Sequence, residues 1–223
     1  MKSFEWILEH VDAHLSQDGR PLTLPDVLVP EAVSNLPDDR IFSVMTRRVF
    51  RSGLSHALVD KKWPAFEEAF WGFDPVKISL MSDDQLEALM QNDKLIRHWG
   101  KIKAARVNAN MIAELSDKHG SFGAFLAQWP DEDLVGLWQY LKKHGSNLGG
   151  NSGPYFLRMI GRDTFILTDD VVASLIAQNI VTKKPTAQRD LKAVQTAFNT
   201  WHEQSGWPYA HISRLLSYTI GWD

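Results

Sequence analysis

The chain has 223 residues, 44% hydrophobic and 23% charged, an ordinary globular composition with room for one large domain or two small lobes. It contains no cysteine, which excludes disulfides, thiolate metal sites and cysteine-held iron–sulfur clusters. A net charge of -3 argues weakly against nucleic acid as a partner, no apolar run reaches bilayer length, and Met1-Lys2-Ser3-Phe4-Glu5 lacks the apolar core of a signal peptide, so a soluble cytoplasmic protein is expected.

Helical signals dominate the chain. Phe4, Ile7, Leu8, Val11 and Leu15 share one face of a 3.6-residue period. Pro21, Pro25, Pro30 and Pro37 mark an extended connector over 20–40. Ile41 to Val59 reads as helix, interrupted at Ser52-Gly53, and Pro64 reads as the start of another. Ser82-Asp83-Asp84-Gln85 is a capping box, followed by a turn at Asn92-Asp93. Ile102 to Leu115 is helical and closes near Gly120. Pro130-Asp131 opens a helix that ends at Gly145, and Pro154 to Ile160 is a short helix ended by Gly161. Asp169 or Asp170 caps the next helix, to about Asn179. Thr186 caps one that ends at Gly206, and Pro208 to Ile220 is the last. The nearest approach to a strand is Thr164 to Leu167, which is short. The expected class is all-α.

Charge is unevenly spread. Residues 1–40 hold three basic and eight acidic side chains, residues 41–110 hold eleven and eight, and residues 141–162 hold four basic side chains and no acid. Such a local positive face is compatible with binding phosphate, though on charge alone solvated helix faces are the better description.

The chemistry concentrates in residues 148–172. Gly149, Gly150, Asn151, Ser152 and Gly153 join two predicted helices. A glycine-rich hairpin that opens onto a helix N-terminus points backbone N–H groups outward, where they can hold a phosphate. After it come a helix, the apolar run Phe165-Ile166-Leu167, and the carboxylate pair Asp169-Asp170. On their own, such acids simply cap a helix.

This succession resembles the helix-hairpin-helix DNA glycosylase superfamily, in which a hairpin is followed by a catalytic aspartate. It is most similar to the 3-methyladenine glycosylase II branch, as are Trp207-Pro208-Tyr209-Ala210-His211 and Ile220-Gly221-Trp222. The resemblance implies Asp170 as the catalytic acid with Asp169 beside it, and an all-α, two-lobed helix-hairpin-helix glycosylase fold: one glycosylase-like domain over 1–223, with sub-lobes of about 41–145 and of 1–40 plus 146–223. A carboxylate belongs there because breaking a base–sugar bond builds positive charge on the sugar. Bifunctional members carry a lysine two residues after the last turn glycine. With Gly150 as that glycine the position is Ser152, and no lysine lies between Lys143 and Lys183. The resemblance therefore implies a monofunctional enzyme without a Schiff base.

A second resemblance, over residues 42–106, is to 3-methyladenine DNA glycosylase I. It rests on Ser52-Gly53-Leu54-Ser55, Lys61-Lys62, Phe73-Asp74-Pro75-Val76-Lys77 and Ile96-Arg97-His98-Trp99-Gly100-Lys101-Ile102-Lys103-Ala104, with a weaker match at Leu141-Lys142-Lys143-His144-Gly145. Its register places Arg48 where that family reads the alkylated adenine with a glutamate, and His56 where it has a pocket tryptophan. That family's zinc site needs cysteines, which this chain lacks. Arg48 is then a phosphate contact, a base contact or a helix-surface charge.

Arg48, His56, Trp99 and Tyr155 are the candidate base pocket, since an extruded base needs an aromatic-lined site. Lys101 and the hairpin residues Gly149 to Gly153 are the candidate DNA contacts. The expected partner is double-stranded DNA with a damaged base, an alkylated purine by resemblance, at most in association with a bacterial nucleoid. No cofactor, metal, membrane or protein partner is expected. The alternatives are a DNA-binding or lesion-sensing protein of the same fold without catalysis, and a helical interaction protein that binds no nucleic acid. His10 and His14, four apart on a helix, lack a third metal ligand in the sequence pattern. Ser55-His56 are chain neighbours, a poor arrangement for a nucleophile and its base.

Overall fold

The computed structural model describes residues 1–18 and 21–220, without the side chains of 16–18. Among the described residues there are thirteen α-helices and no strand. In chain order they are α1 (Phe4–Asp18), α2 (Pro30–Ser34), α3 (Asp38–Arg51), α4 (His56–Ala69), α5 (Pro75–Ser79), α6 (Asp83–Leu89), α7 (Trp99–His119), α8 (Phe122–Gln128), α9 (Leu134–His144), α10 (Ser152–Met159), α11 (Asp169–Ala177), α12 (Gln188–Ser205) and α13 (Tyr209–Leu216). No helix among them is long and apolar enough to cross a membrane.

The chain divides into two compact units. One comprises Met1–Val27, Pro130–Gly136 and Asp163–Asp223; the other comprises Leu28–Trp129 and Leu137–Arg162. The glycine hairpin and α3 therefore belong to the second unit, and the Asp169-Asp170 pair to the first.

In the second unit α7 packs against α3, α5, α6 and α8. Its apolar face is fully buried at Ile102, Ala109 and Ile112. Beside it lies an aromatic cluster. Trp63 stacks on Phe66 with centroids 5.1 Å apart and on Phe73 at 5.3 Å, Phe66 stacks on Phe70 at 5.9 Å, and Phe50 meets Phe66 edge-on at 4.7 Å. This cluster corrects the reading of Pro64 as a helix start, since Pro64 lies inside α4. An interior proline costs about 3 kcal/mol. Burying Trp63 and Phe66 on either side of it contributes about 1.5–3 kcal/mol each, enough to carry the helix through.

Other boundaries shift for local reasons. The expected connector contains α2, because Pro30 sits at the first helical position, where a missing N–H costs nothing. Helix α7 begins three residues before Ile102, because the His98 ring accepts the Lys101 N–H and caps it there. Helix α8 has no forerunner in the sequence reading; Ser121 caps it, and Asp38 accepts the Phe122 N–H at 2.9 Å. The Ser82 capping box forms as expected.

The first unit is built from α1, α11, α12 and α13. Phe165 stacks on Phe198 at 4.1 Å. The fully buried Trp201 donates its indole N–H to the Lys2 carbonyl at 2.9 Å. Thr164 to Leu167 is buried and forms no strand, and Ile166 N–H bonds the Ser213 hydroxyl at 3.3 Å. Three sequence readings are corrected in this unit. Thr168, rather than Asp169 or Asp170, caps α11, its hydroxyl accepting the Val171 N–H at 3.3 Å. Ala187, not Thr186, is the residue before α12, and it offers no side-chain cap. Helix α13 stops at Leu216, short of Ile220. The Gly221-Trp222 part of the C-terminal motif lies outside the described residues.

Candidate functional site

Within the second unit the C-terminus of α3, the N-terminus of α7, the hairpin and the start of α10 enclose a polar cavity of about 540 Å³. Val49 and Ser52 line it from α3, His98, Gly100 and Lys101 from α7, and Ser146, Asn147, Gly149 and Ser152 from the hairpin side.

The hairpin takes its shape from a few residues. Gly150 has φ +57°, a left-handed conformation that other residues rarely adopt. A Cβ on Gly153 would lie 3.0 Å from the Leu148 carbonyl, so a side chain there would crowd the carbonyl that accepts the Gly153 N–H at 3.2 Å. Leu148 anchors the turn with its side chain buried. Asn108, fully buried on α7, accepts the Ser146 N–H at 2.7 Å and donates to the Ser146 carbonyl at 3.1 Å. Among the described residues no acceptor takes the N–H of Gly149 or of Gly150.

The sequence reading did not identify Asn108, although a lone asparagine between Ala105, Ala109 and Ile112 on an apolar helix face was a usable signal. Asn108→Ala leaves both Ser146 groups without their partner. It is expected to lower stability by about 2 kcal/mol, measured by denaturant unfolding, and to loosen the hairpin.

Lys101 is 8% exposed. Its ammonium donates to the Phe50 carbonyl at 3.1 Å and, by a shorter bond, to the Ser52 carbonyl. Those are end-of-helix carbonyls that a cation suits. Burial, and then the neighbouring Arg48 charge, pulls its pKa below the usual lysine range. Two of its three protons are engaged by these carbonyls, which leaves one for a ligand.

Arg48 lies against Tyr155, its guanidinium carbon 4.7 Å from the ring centroid, across the α3–α10 contact. Burial, then repulsion from Arg51, holds its pKa below the ordinary arginine value. The structure thus gathers Arg48, Tyr155, Lys101, Gly149 and Ser152 on one side of the second unit. His56 is exposed at the start of α4, and no hydrogen bond, ion pair or ring contact joins it to Arg48 or Tyr155 among the described residues. Trp99 is half-buried at the start of α7, under the Lys103 ammonium at 5.1 Å. Asn151 is half-buried and immediately precedes α10. Ser146 and Asn147, not singled out from sequence, and Ser52 and His98, noted there only within motifs, line the cavity as well, because their proximity depends on the tertiary fold.

In the first unit Asp169 and Asp170 occupy the first turn of α11. The Asp169 side chain is 92% exposed and pairs with Lys184 at 3.0 Å. Asp170 is half-exposed, and among the described residues no hydrogen bond or ion pair engages its carboxylate. His10 and His14 each bond the carbonyl one turn earlier, at 2.9 and 3.0 Å. No group of three or more metal-ligating side chains gathers among the described residues.

The family model described as methyladenine glycosylase matches residues 32–146. That span holds Arg48, His56, Trp99 and Lys101 and stops just before the glycine turn. The chain is 33% identical over 98 residues to the DNA-3-methyladenine glycosylase 1 of Escherichia coli (strain K12), covering 44% of this chain and 50% of that protein. It is 29% identical over 124 residues to the DNA-3-methyladenine glycosylase of Haemophilus influenzae, covering 54% and 60%. The chain thus spans about half the length of these curated relatives. In fold it is similar to the solved 3-methyladenine DNA glycosylase I of Staphylococcus aureus, with a TM-score of 0.52 and 22% identity over 62% of this chain and 80% of the other.

Proposed function

We propose that this chain, which belongs to the methyladenine glycosylase family, is a monofunctional DNA glycosylase of base-excision repair. The observation that carries the reading is the cavity lined by Gly149, whose N–H has no acceptor among the described residues, together with Lys101, Ser52, Ser146 and Ser152. N–H groups in a glycine turn ahead of a helix bind phosphate without reading sequence, which suits a protein that must find damage in any context. The partner is double-stranded DNA with one nucleotide extruded from the stack.

Arg48 and Tyr155 border the extruded base in this reading. The carboxylate assigned to the reaction in this reading is Asp170. As the C1′–N bond breaks, its electron pair leaves with the base and positive charge builds on the sugar, which a fixed carboxylate stabilises. Water adds to C1′ and its proton passes to the departing base or to solvent. Asp170 is suited to this because among the described residues its carboxylate has no partner, whereas Asp169 is already paired with Lys184. The curated relatives carry 3-methyladenine in their names, so an alkylated purine is the substrate class to begin with.

The test incubates methylated duplex DNA with the protein, counts released bases by chromatography and abasic sites with an aldehyde-reactive probe, and adds borohydride to a parallel sample. Equal amounts of free base and abasic site on uncut strands are expected, with no protein–DNA adduct, since Ser152 replaces a nucleophilic lysine. An adduct trapped by borohydride would overturn the monofunctional assignment. Binding to damaged DNA without release of any base would favour a lesion-sensing protein instead.

A further inference from the structure

Three arginines lie near the end of α3, and they are treated differently. Asp60 accepts from Arg47 at 2.9 Å and from Arg51 at 2.7 and 2.6 Å, so those two share one carboxylate. Arg48 receives none. Among the described residues no carboxylate and no hydrogen-bond acceptor contacts its guanidinium, and its Nε is buried without a partner. Its neighbour Lys101 has only backbone carbonyls as partners. Two cations that repel one another therefore share this side of the unit, and among the described residues no carboxylate pairs with either. A buried donor left unsatisfied is costly, so this arrangement is incomplete until a group rich in acceptors meets it.

The position of Arg48 narrows what that group is. Arg48 lies one helical turn before Ser52, and Tyr155 lies three residues after Ser152, both of which line the cavity. The Tyr155 ring lies against the guanidinium. Guanidinium offers five donors and no acceptor. It pairs with the oxygen and N7 edge of a guanine-type purine, whereas the amine at the same position of an adenine-type purine only donates and sets donor against donor. We infer that Arg48 selects damaged purines bearing an oxygen at the six position over those bearing an amine. This rests on the reading of the site as a base pocket given above.

Methylated genomic DNA tests it in one tube, because it carries both 3-methylguanine and 3-methyladenine, lesions alkylated at the same atom. Release per lesion is expected to favour 3-methylguanine, and Arg48→Glu to shift the ratio toward 3-methyladenine by about tenfold or more. Arg48→Gln, which can donate and accept, is expected to bring the ratio near one and serves if Arg48→Glu fails to fold. A phosphate-binding Arg48 gives a different result: both substitutions would slow the two releases equally, and an unchanged ratio overturns the inference. If no lesion is released, the glycosylase reading fails on its own. The free bases, titrated while tryptophan fluorescence is followed, then decide the Arg48 inference: tighter binding of 3-methylguanine upholds it, and equal or tighter binding of 3-methyladenine overturns it.

Discussion

Asp170→Asn is expected to slow base release under single-turnover conditions by about 10²–10³-fold, the range seen when one preorganised charge-stabilising group is removed. The substitution keeps the shape of the side chain and removes its charge. Helix α11 keeps its cap, because Thr168 accepts the Val171 N–H, so the loss cannot be blamed on unwinding of the helix. Circular dichroism and the unfolding midpoint should stay close to those of the unaltered protein, with DNA affinity little changed. Asp169→Asn is the matched comparison. Its carboxylate is almost fully exposed and already paired with Lys184, so it should cost far less. Equal losses from both substitutions would indicate a shared electrostatic effect rather than a specific role for Asp170.

Phe66→Ala carries the largest expected effect on stability, about 3–5 kcal/mol for deletion of a buried aromatic side chain. Phe66 is fully buried and touches Phe50, Trp63 and Phe70, so no single neighbour can close the void. Phe50 belongs to the end of α3, where its carbonyl and that of Ser52 hold the Lys101 ammonium. Loosening this cluster should therefore weaken the site as well as the fold. Denaturant unfolding measures the first effect. The second should appear as weaker DNA binding at temperatures where the variant remains folded. Phe66→Leu keeps most of the volume and should lose markedly less.

Much of the helical framework was legible because it follows local rules. The apolar spacing from Phe4 to Leu15, the capping box at Ser82 and the glycine stops at Gly120 and Gly206 each depend on a few neighbouring residues, and the helices stand there. Pro64 was misread because a proline's local preference lost to tertiary burial of Trp63 and Phe66. The Asp169-Asp170 pair was read as the cap of α11 because acids favour that position, yet Thr168 precedes them and takes the role.

The site was legible unevenly. Gly149, Gly150 and Ser152 declare themselves as a hairpin by composition, and Gly149 and Ser152 line one cavity. The Asn108 bracket around Ser146 joins residues 38 apart, which no spacing rule announces. Lys101 showed only as a charge in a motif; that it is buried against the end of α3 depends on packing. The lone state of Arg48 depends on where Asp60 sends its two oxygens, which is a fact of three dimensions. Asp170 lies outside the span matched by the family model, so its proposed role rests on the resemblance to the glycosylase II branch, on chemistry, and on a carboxylate that no hydrogen bond or ion pair engages among the described residues.

The most direct test of the proposed function is the rate at which the unaltered protein liberates bases from duplexes carrying methylated, deaminated or oxidised purines. At protein in excess over DNA, at least one lesion should yield free base in proportion to new abasic sites, well above the rate without protein. Absence of release from every lesion, by a folded protein that binds the same DNA, would contradict the assignment as a glycosylase.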